Sequence, residues 1–537
     1  MKKMLIKLDM QNNALNMYTA FLSTYYTEHY CIAIYGEIFS HDNECNNFHH
    51  IIKLYEEYGD AIVNHLEGLY HLFIFDKIQS TLQIYQDFFT SKEYLYYCKN
   101  NNTWYISSNL QTLLQESKIE RLANTDAYCD FVQYGYVPNE QTLLQNVYKL
   151  APFHKLSFTT SSVSQQELSY LMPKRSQTYG KEHWISDLNR SISLNTPNTP
   201  NITLPISGGY DSNYLLGYYV KHTNLPIHLF SIGGNADADE TENVRKIVKC
   251  YSDFHPMLTL GYTSSQMLSH FPEIIWRLGG SLFERGIFLQ YRLATELSNS
   301  KITDLVCGEC ADQIMNQYYQ TSNTDSSYYQ THGKKNPYYY SSSIILKKSG
   351  ILLNSFGING HYPYINQRFV ATASGIKNLN GTTKAFHQQI CRQTLSKDVI
   401  KNIHKNGGAT SLHALFTSKE CMNDFLNKIE HCDLYRTIRD ELRNLSGAPA
   451  KSSLSNHIIT LKRRIFNGIP VILAKINAGS LHTLMPSYKK EERRLERAFS
   501  ILYLLIFEEL FCSSKSQHYL DTNTCTIQTD ELLKEII

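Results

Sequence analysis

The chain has 537 residues, enough for two or three domains with a sizeable core. Its 51 lysines and arginines nearly balance 49 aspartates and glutamates, which removes any bulk electrostatic case for nucleic-acid or membrane binding. The start of the chain lacks the apolar stretch of a signal peptide, the apolar run 501–507 is far too short to span a bilayer, and twelve cysteines are scattered without framework spacing, so a reducing, cytoplasmic location is expected.

Residues 31–39 and 70–76 read as strands, and Ile51, Ile52, Leu54, Tyr55, Ile62 and Leu66 between them suggest a helix pair. Further strands are expected at 82–87, 94–97 and 104–109. This order, strand, helices, then several strands, predicts a sandwich of two sheets flanked by helices over residues 1–158. A polar stretch, 159–183, reads as a connector. The remainder, 184–537, opens with a helix carrying Trp184, Ile185, Leu188 and Ile192 on one face. Strands at 204–206, 227–233 and 254–260 then alternate with helices at 210–220 and 240–251. That alternation predicts a parallel sheet wrapped by helices, with ligands at the carboxyl ends of its strands. The whole chain is therefore expected to be α/β.

The chemistry concentrates where the first of these strands ends, at Ser207-Gly208-Gly209-Tyr210-Asp211-Ser212. A strand feeding a glycine turn and a helix N-terminus makes an anion site, because backbone N–H groups and the helix dipole point into the turn. Gly208 and Gly209 let the main chain approach a phosphate, Ser207 and Ser212 add hydroxyls, and Asp211 is suited to hold magnesium against the same phosphates. No G-x-x-x-x-G-K-[ST] sequence occurs, so this is not a loop for γ-phosphate transfer. The competing reading is an ordinary turn whose glycines only bend the chain.

Ser-Gly-Gly-x-Asp-Ser resembles the pyrophosphate loop of the ATP pyrophosphatases, and the surrounding motifs resemble the asparagine synthetase family. Tyr35-Gly36-Glu37-Ile38-Phe39, the stretch Leu66-Glu67-Gly68-Leu69-Tyr70-His71-Leu72-Phe73-Ile74-Phe75-Asp76, and Ile106-Ser107-Ser108-Asn109-Leu110 follow the pattern of its N-terminal glutaminase domain in order. Cys307-Gly308-Glu309-Cys310-Ala311-Asp312-Gln313 is similar to its Ser-Gly-Glu-Gly-Ala-Asp-Glu, and Pro363-Tyr364-Ile365-Asn366-Gln367-Arg368-Phe369-Val370 to its Pro-Phe-Leu-Asp-x-Arg-Leu-Val. Residues 384–408 resemble the segment that brings a lysine over the reaction centre.

The resemblance implies ATP as substrate and Mg²⁺ as cofactor, with Asp211 and Asp312 as metal ligands. It places Pro205, Ile232, Cys307 and Gly308 around adenine and ribose, Glu309 facing the acyl-adenylate, and Lys405 stabilising the charged intermediate. Cys307-x-x-Cys310 lies inside this motif, so a separate metal or redox site there is not expected. Glutaminases of the family use a first-residue cysteine; this sequence offers Met1-Lys2-Lys3, so a glutaminase-like fold without glutaminase activity is expected. β-Lactam synthetases and lasso-peptide macrolactam synthetases share that lack. The expected substrate is accordingly a small molecule or peptide bearing both a carboxylate and an amine, with a leader-peptide-handling protein as a partner. An ammonia-dependent asparagine synthetase and a non-catalytic nucleotide-binding scaffold are the alternatives. Of three further stretches, the Tyr-rich 317–343 reads as a lid over the acceptor site or a disordered insertion, Lys462-Arg463-Arg464 as surface charge or a contact for an acidic peptide, and 489–511 as a C-terminal docking helix.

Overall fold

Alternation of side chains along the strands decides the architecture of the N-terminal half. The computed structural model describes residues 4–9, 14–17, 23–39, 48–89, 91–159, 162–170, 179–232, 241–251, 257–260, 264–315, 344–376, 383–404, 412–416, 418–445, 486–513 and 516–522. Its first eleven strands are β1 (Leu5–Asp9), β2 (Ala14–Met17), β3 (Ser23–Tyr26), β4 (Tyr30–Phe39), β5 (Glu67–Asp76), β6 (Thr81–Gln86), β7 (Tyr96–Asn100), β8 (Thr103–Ser107), β9 (Val147–Lys149), β10 (His154–Phe158) and β11 (Val163–Glu167). They form two antiparallel sheets, ordered β2-β1-β8-β7-β9 and β11-β10-β6-β5-β4-β3.

Successive residues of β4 and β5 feed different cores. Ala33, Phe73 and Phe75 point between the sheets, with Met4, Ile6, Trp104 and Ile106. Ile32, Ile34, Leu72 and Ile74 point the other way and pack with Ile51 of α1 (Phe48–Tyr58). Both faces are covered, so these strands read as near-continuous apolar runs. The second expected helix of this region is instead a 3₁₀ segment, Gly59–Asn64, because Gly59 takes φ +53 and ends α1. β11 lies within the stretch read as connector; it pairs with β10 along five residues from His154↔Glu167 to Phe158↔Val163. Two motif glycines of β4 and β5 have a steric reason. A Cβ on Gly36 would stand 2.2 Å from the Leu69 carbonyl oxygen, and one on Gly68 would stand 2.1 Å from that of Glu37.

In the second half β12 (Ile202–Pro205), β13 (Ile227–Ile232) and β14 (Met257–Leu260) are parallel. β15 (Asp304–Val306) lies beside β12 and pairs in parallel with β16 (Asn359–His361). Helices α2 (Leu110–Ser117) and α3 (Asp126–Tyr134) belong to the first half, and α4 (Lys181–Leu194) opens the second. Between and after the strands come α5 (Tyr210–His222), α6 (Thr241–Val248), α7 (Ile287–Asn299), α8 (Ala311–Ile314), α9 (Leu346–Ser355), α10 (Gln367–Gly375), α11 (Thr383–Thr394) and α12 (Pro486–Phe511). The strand–helix alternation expected for a parallel sheet is present, and the fold is mixed α/β.

The halves share a core. α12 buries Leu495, Phe499, Tyr503, Phe507 and Phe511, and its Tyr503 ring packs 4.8 Å from Phe131 of α3. Tyr128 of α3 donates to Glu508 (2.6 Å). A second junction joins residues 91–93 to α9. Lys347 Nζ donates to the carbonyls of Ser91 (2.8 Å) and Glu93 (2.7 Å), and Asn354 donates to the Glu93 carboxylate (2.7 Å). Gly350 lies between, where a Cβ would stand 2.1 Å from the Lys92 carbonyl oxygen. No helix among the described residues is long and apolar enough to cross a membrane. Residues 317–343, 462–464 and Lys405 lie outside the described residues.

Candidate active site

The loop 206–209 leaves β12 at its carboxyl end and turns into α5, whose N-cap is Gly209 (φ −91°, ψ 164°). A glycine N-cap supplies no side-chain acceptor, so the first turn is organised by its neighbours. The Ser207 backbone N–H donates to Ser212 Oγ (3.1 Å), the two hydroxyls lie 3.1 Å apart, and the Gly209 N–H donates to Ser207 Oγ (3.3 Å). Asn213, fully buried, donates to the Ser207 (3.0 Å) and Gly209 (2.6 Å) carbonyls. Those bonds turn the loop carbonyls toward the protein, which suits the opposite face to an anion. Asn213 belongs to no motif of the sequence, and only the fold shows that its amide is buried one turn into α5.

The second motif lies against the first. A Cβ on Gly308 would stand 3.8 Å from the Ser212 nitrogen and 3.9 Å from Asp211 Cβ, so the two loops are in near contact. Cys310 takes φ +66°, ψ −4°, a left-handed conformation that favours glycine, which accounts for the glycine of the family motif at this position. Asp312 then sits on α8. Burial pushes the Cys307 and Cys310 thiols far above their ordinary range, so both stay protonated.

The residue that joins the two loops is one the sequence reading did not single out. Lys384 Nζ lies 2.5 and 2.6 Å from the two Asp211 oxygens and 2.6 Å from Asp312 Oδ1. All three side chains are largely buried, the lysine at 8 % exposure. Lys384 begins the segment that resembles the family's lysine-bearing stretch; Lys405, the residue expected there to act, lies outside the described residues. His387, three residues on and on the same face of α11, brings Nε2 to 3.4 Å from Asp211 Oδ1. Burial lowers its pKa, against the pull of Asp211. Tyr364 completes the surroundings by donating its hydroxyl to the Asp211 carbonyl (3.0 Å).

Asp211 and Asp312, with Lys384 Nζ between them, offer hard oxygen donors, one from each loop, that would suit a divalent cation. Pro205 and Ile232 close β12 and β13, and Cys307 follows β15, so the residues expected around adenine and ribose stand at the strands' carboxyl ends. Glu309 lies within electrostatic reach of Lys348. Together with Glu284 it overcomes the effect of burial and holds the Lys348 ammonium charged, and Lys348 Nζ lies 3.1 Å from Glu284 Oε2. Asn366, which replaces the family's aspartate, caps α10 by accepting from the Arg368 and Phe369 N–H groups (both 3.1 Å). Its amide also donates to Glu67 Oε1, which an aspartate could not do. The substitution keeps the cap and adds a tie to the first domain.

With this geometry in place, the matches to known proteins fall on the same two halves. A family model described as a glutamine amidotransferase domain matches residues 27–170, and one described as asparagine synthase matches 186–339. The chain belongs to the asparagine synthetase family. Within that family, a Methanocaldococcus jannaschii protein named as a glutamine-hydrolysing asparagine synthetase is 23% identical over 276 residues, covering 50% of this chain and 53% of that protein. A Bacillus subtilis asparagine synthetase, also named as glutamine-hydrolysing, is 19% identical over 285 residues, covering 50% and 42%. The chain thus spans about half the length of the curated relatives it matches. Among solved structures, a U34-tRNA thiolase, NcsA from Methanococcus maripaludis with its 4Fe-4S cluster, matches 53% of this chain and 87% of its own at 16% identity, with a TM-score of 0.24. A likeness at that score carries no argument.

Proposed function

We propose that this member of the asparagine synthetase family is an ATP-dependent carbon–nitrogen ligase. The reading is that it adenylates a substrate carboxylate, releases pyrophosphate, and lets an amine displace AMP to form an amide. The observation that carries this is the convergence of Asp211, Asp312 and Lys384 over the Ser207–Ser212 loop. Asp211 and Asp312 would hold the magnesium ion, which neutralises phosphate charge when bound. Ser207, Gly208, Gly209 and Ser212 receive the departing pyrophosphate, and Lys384 supplies positive charge where it leaves. Pro205, Ile232, Cys307 and Gly308 bound the adenosine. Glu309 orients or deprotonates the attacking amine, and Lys405 remains the candidate for stabilising the tetrahedral intermediate.

For the nitrogen source, the first domain supports a reading without glutamine hydrolysis. Burial pushes the thiols of Cys31 and Cys98 up to about 11 and that of Cys129 to about 12. Among the described residues of that domain, then, no thiol offers a nucleophilic thiolate at neutral pH. An amine carried by the substrate itself removes the need for captured ammonia, because tethering raises effective concentration to about 10⁵–10⁸ M in well-oriented cases. We therefore favour ring closure, or another amide bond on a dedicated substrate such as a precursor peptide with its leader-handling partner. The names of the relatives favour a second reading, aspartate with free ammonia. The test is ATP, magnesium and candidate acceptors with pyrophosphate release as the readout, D211N as the control, and a parallel reaction with aspartate and ammonium. Asparagine formed at about 1–10 s⁻¹, the range of dedicated enzymes, would select the second reading. No pyrophosphate with any acceptor would reject both.

A further inference from the structure

Lys384 touches both oxygens of Asp211 and so does not distinguish them. His387 does. Its Nε2 lies 3.4 Å from Oδ1, and its ring is fully buried among Trp184, Tyr214 and Tyr364, with centroids at 5.8, 5.5 and 5.9 Å. A ring boxed in by three aromatic side chains keeps one orientation, and Nε2, which faces the Asp211 carboxylate with Cys391 Sγ 3.5 Å away as its other polar neighbour, carries its hydrogen toward the charged acceptor. Nδ1 is then the acceptor, and it has no protein partner among the described residues.

A buried imidazole with one nitrogen unpaired costs stability that an apolar side chain of like volume would not. Packing alone therefore gives no reason for a histidine in this aromatic box. We propose that His387 is a positioning residue for Asp211: its Nε2–H fixes Oδ1 and leaves Oδ2 turned toward the cation and phosphate side. The bond is long at 3.4 Å, so its effect is on orientation rather than on fold stability. Partners of this kind, behind a metal ligand, tune affinity for the ion without touching it. The inference rests on Asp211 as a metal-binding carboxylate. It adds a residue that the motif pattern does not mark, since only the helical spacing of Lys384 and His387 brings both to one carboxylate.

The test uses the full chain with two substitutions, His387→Leu, which removes the donor, and His387→Gln, whose side-chain amide can replace the Nε2–H. The probe is Mn²⁺ with α,β-methylene-ATP, followed by the loss of free Mn²⁺ signal in electron paramagnetic resonance, with urea unfolding alongside. H387L is expected to be at least as stable as the wild type yet to bind Mn²⁺ about 10–100-fold more weakly. H387Q is expected to lie much nearer the wild type than H387L. Wild-type affinity in H387L, equal weakness in both variants, or no Mn²⁺–nucleotide binding by the wild type would each overturn the proposal. Wild-type protein that binds Mn²⁺ and nucleotide as described, but releases no pyrophosphate with any acceptor, would instead reject the ligase reading and leave His387 in its role.

Discussion

Replacing Lys384 with methionine keeps most of the side chain's volume and removes one charge. Because Nζ lies within 2.6 Å of oxygens on both Asp211 and Asp312, the two carboxylates stand within about 5 Å of each other. In an environment of effective dielectric constant about 20, two like charges at that distance repel by about 3 kcal/mol. The substitution thus exchanges two attractions for one repulsion, and breaking a buried pair in this way typically costs about 3–5 kcal/mol. One carboxyl can escape by taking up a proton. A carboxyl whose folded pKa is raised in this way binds protons more readily folded than unfolded, so the loss shrinks as pH falls. Urea unfolding of Lys384→Met should therefore show a deficit of about 4 kcal/mol at pH 8 and a smaller one at pH 5. Pyrophosphate release at saturating Mg-ATP should fall by about 10²–10³, the effect of removing one charge-stabilising donor. Added magnesium and α,β-methylene-ATP should restore part of the stability. A variant with wild-type stability at pH 8, or one losing less than about tenfold in rate, would refute the assignment of Lys384 to this centre.

Gly350→Ala would ordinarily gain helix propensity of about 1 kcal/mol, but its Cβ would meet the Lys92 carbonyl oxygen at 2.1 Å. The expected outcome in urea unfolding is a loss of about 1–3 kcal/mol, reporting the junction between the two halves. The first domain should neither release glutamate from glutamine nor be labelled by glutamine-mimicking electrophiles, since its described thiols are held protonated by burial; labelling followed by peptide mapping checks this. His71 is fully buried and its pKa is lowered to about 3 by desolvation and by Lys347. Its neutral form is thus favoured in the fold, and the stability is present above the unfolded value near 6.5 and lost as pH falls toward 3. Wild type should lose about 2 kcal/mol from this group between pH 7 and pH 5, and His71→Asn should flatten the pH dependence of its urea midpoint.

The anion loop was legible in the sequence because its chemistry is local. Ser207, Gly208, Gly209, Asp211 and Ser212 fall within one six-residue turn, so the pattern that marks a candidate anion loop is written in neighbouring residues. The strands of the first half were legible for the same reason: β4 and β5 are apolar on both faces, a property written into neighbouring residues. Burial of both faces also hid the phase of their alternation, which only the two sheets and α1 resolve. β11 reads as connector because Val163–Glu167 is polar, and its strand state comes from pairing with β10. The centre of the candidate site lay furthest from view. Lys384 is more than 70 residues from Asp312 and more than 170 from Asp211, and an ion pair between charges so separated leaves no period or spacing in the chain. The family pattern led to the right segment, but helix α11 had to be docked before its exposed-looking lysine and histidine could be seen to face inward. Local motifs mark which groups are candidates to bind phosphate, while the packing of helices against the strands' carboxyl ends decides which charges stand opposite them, because Coulomb partners are chosen by distance in space.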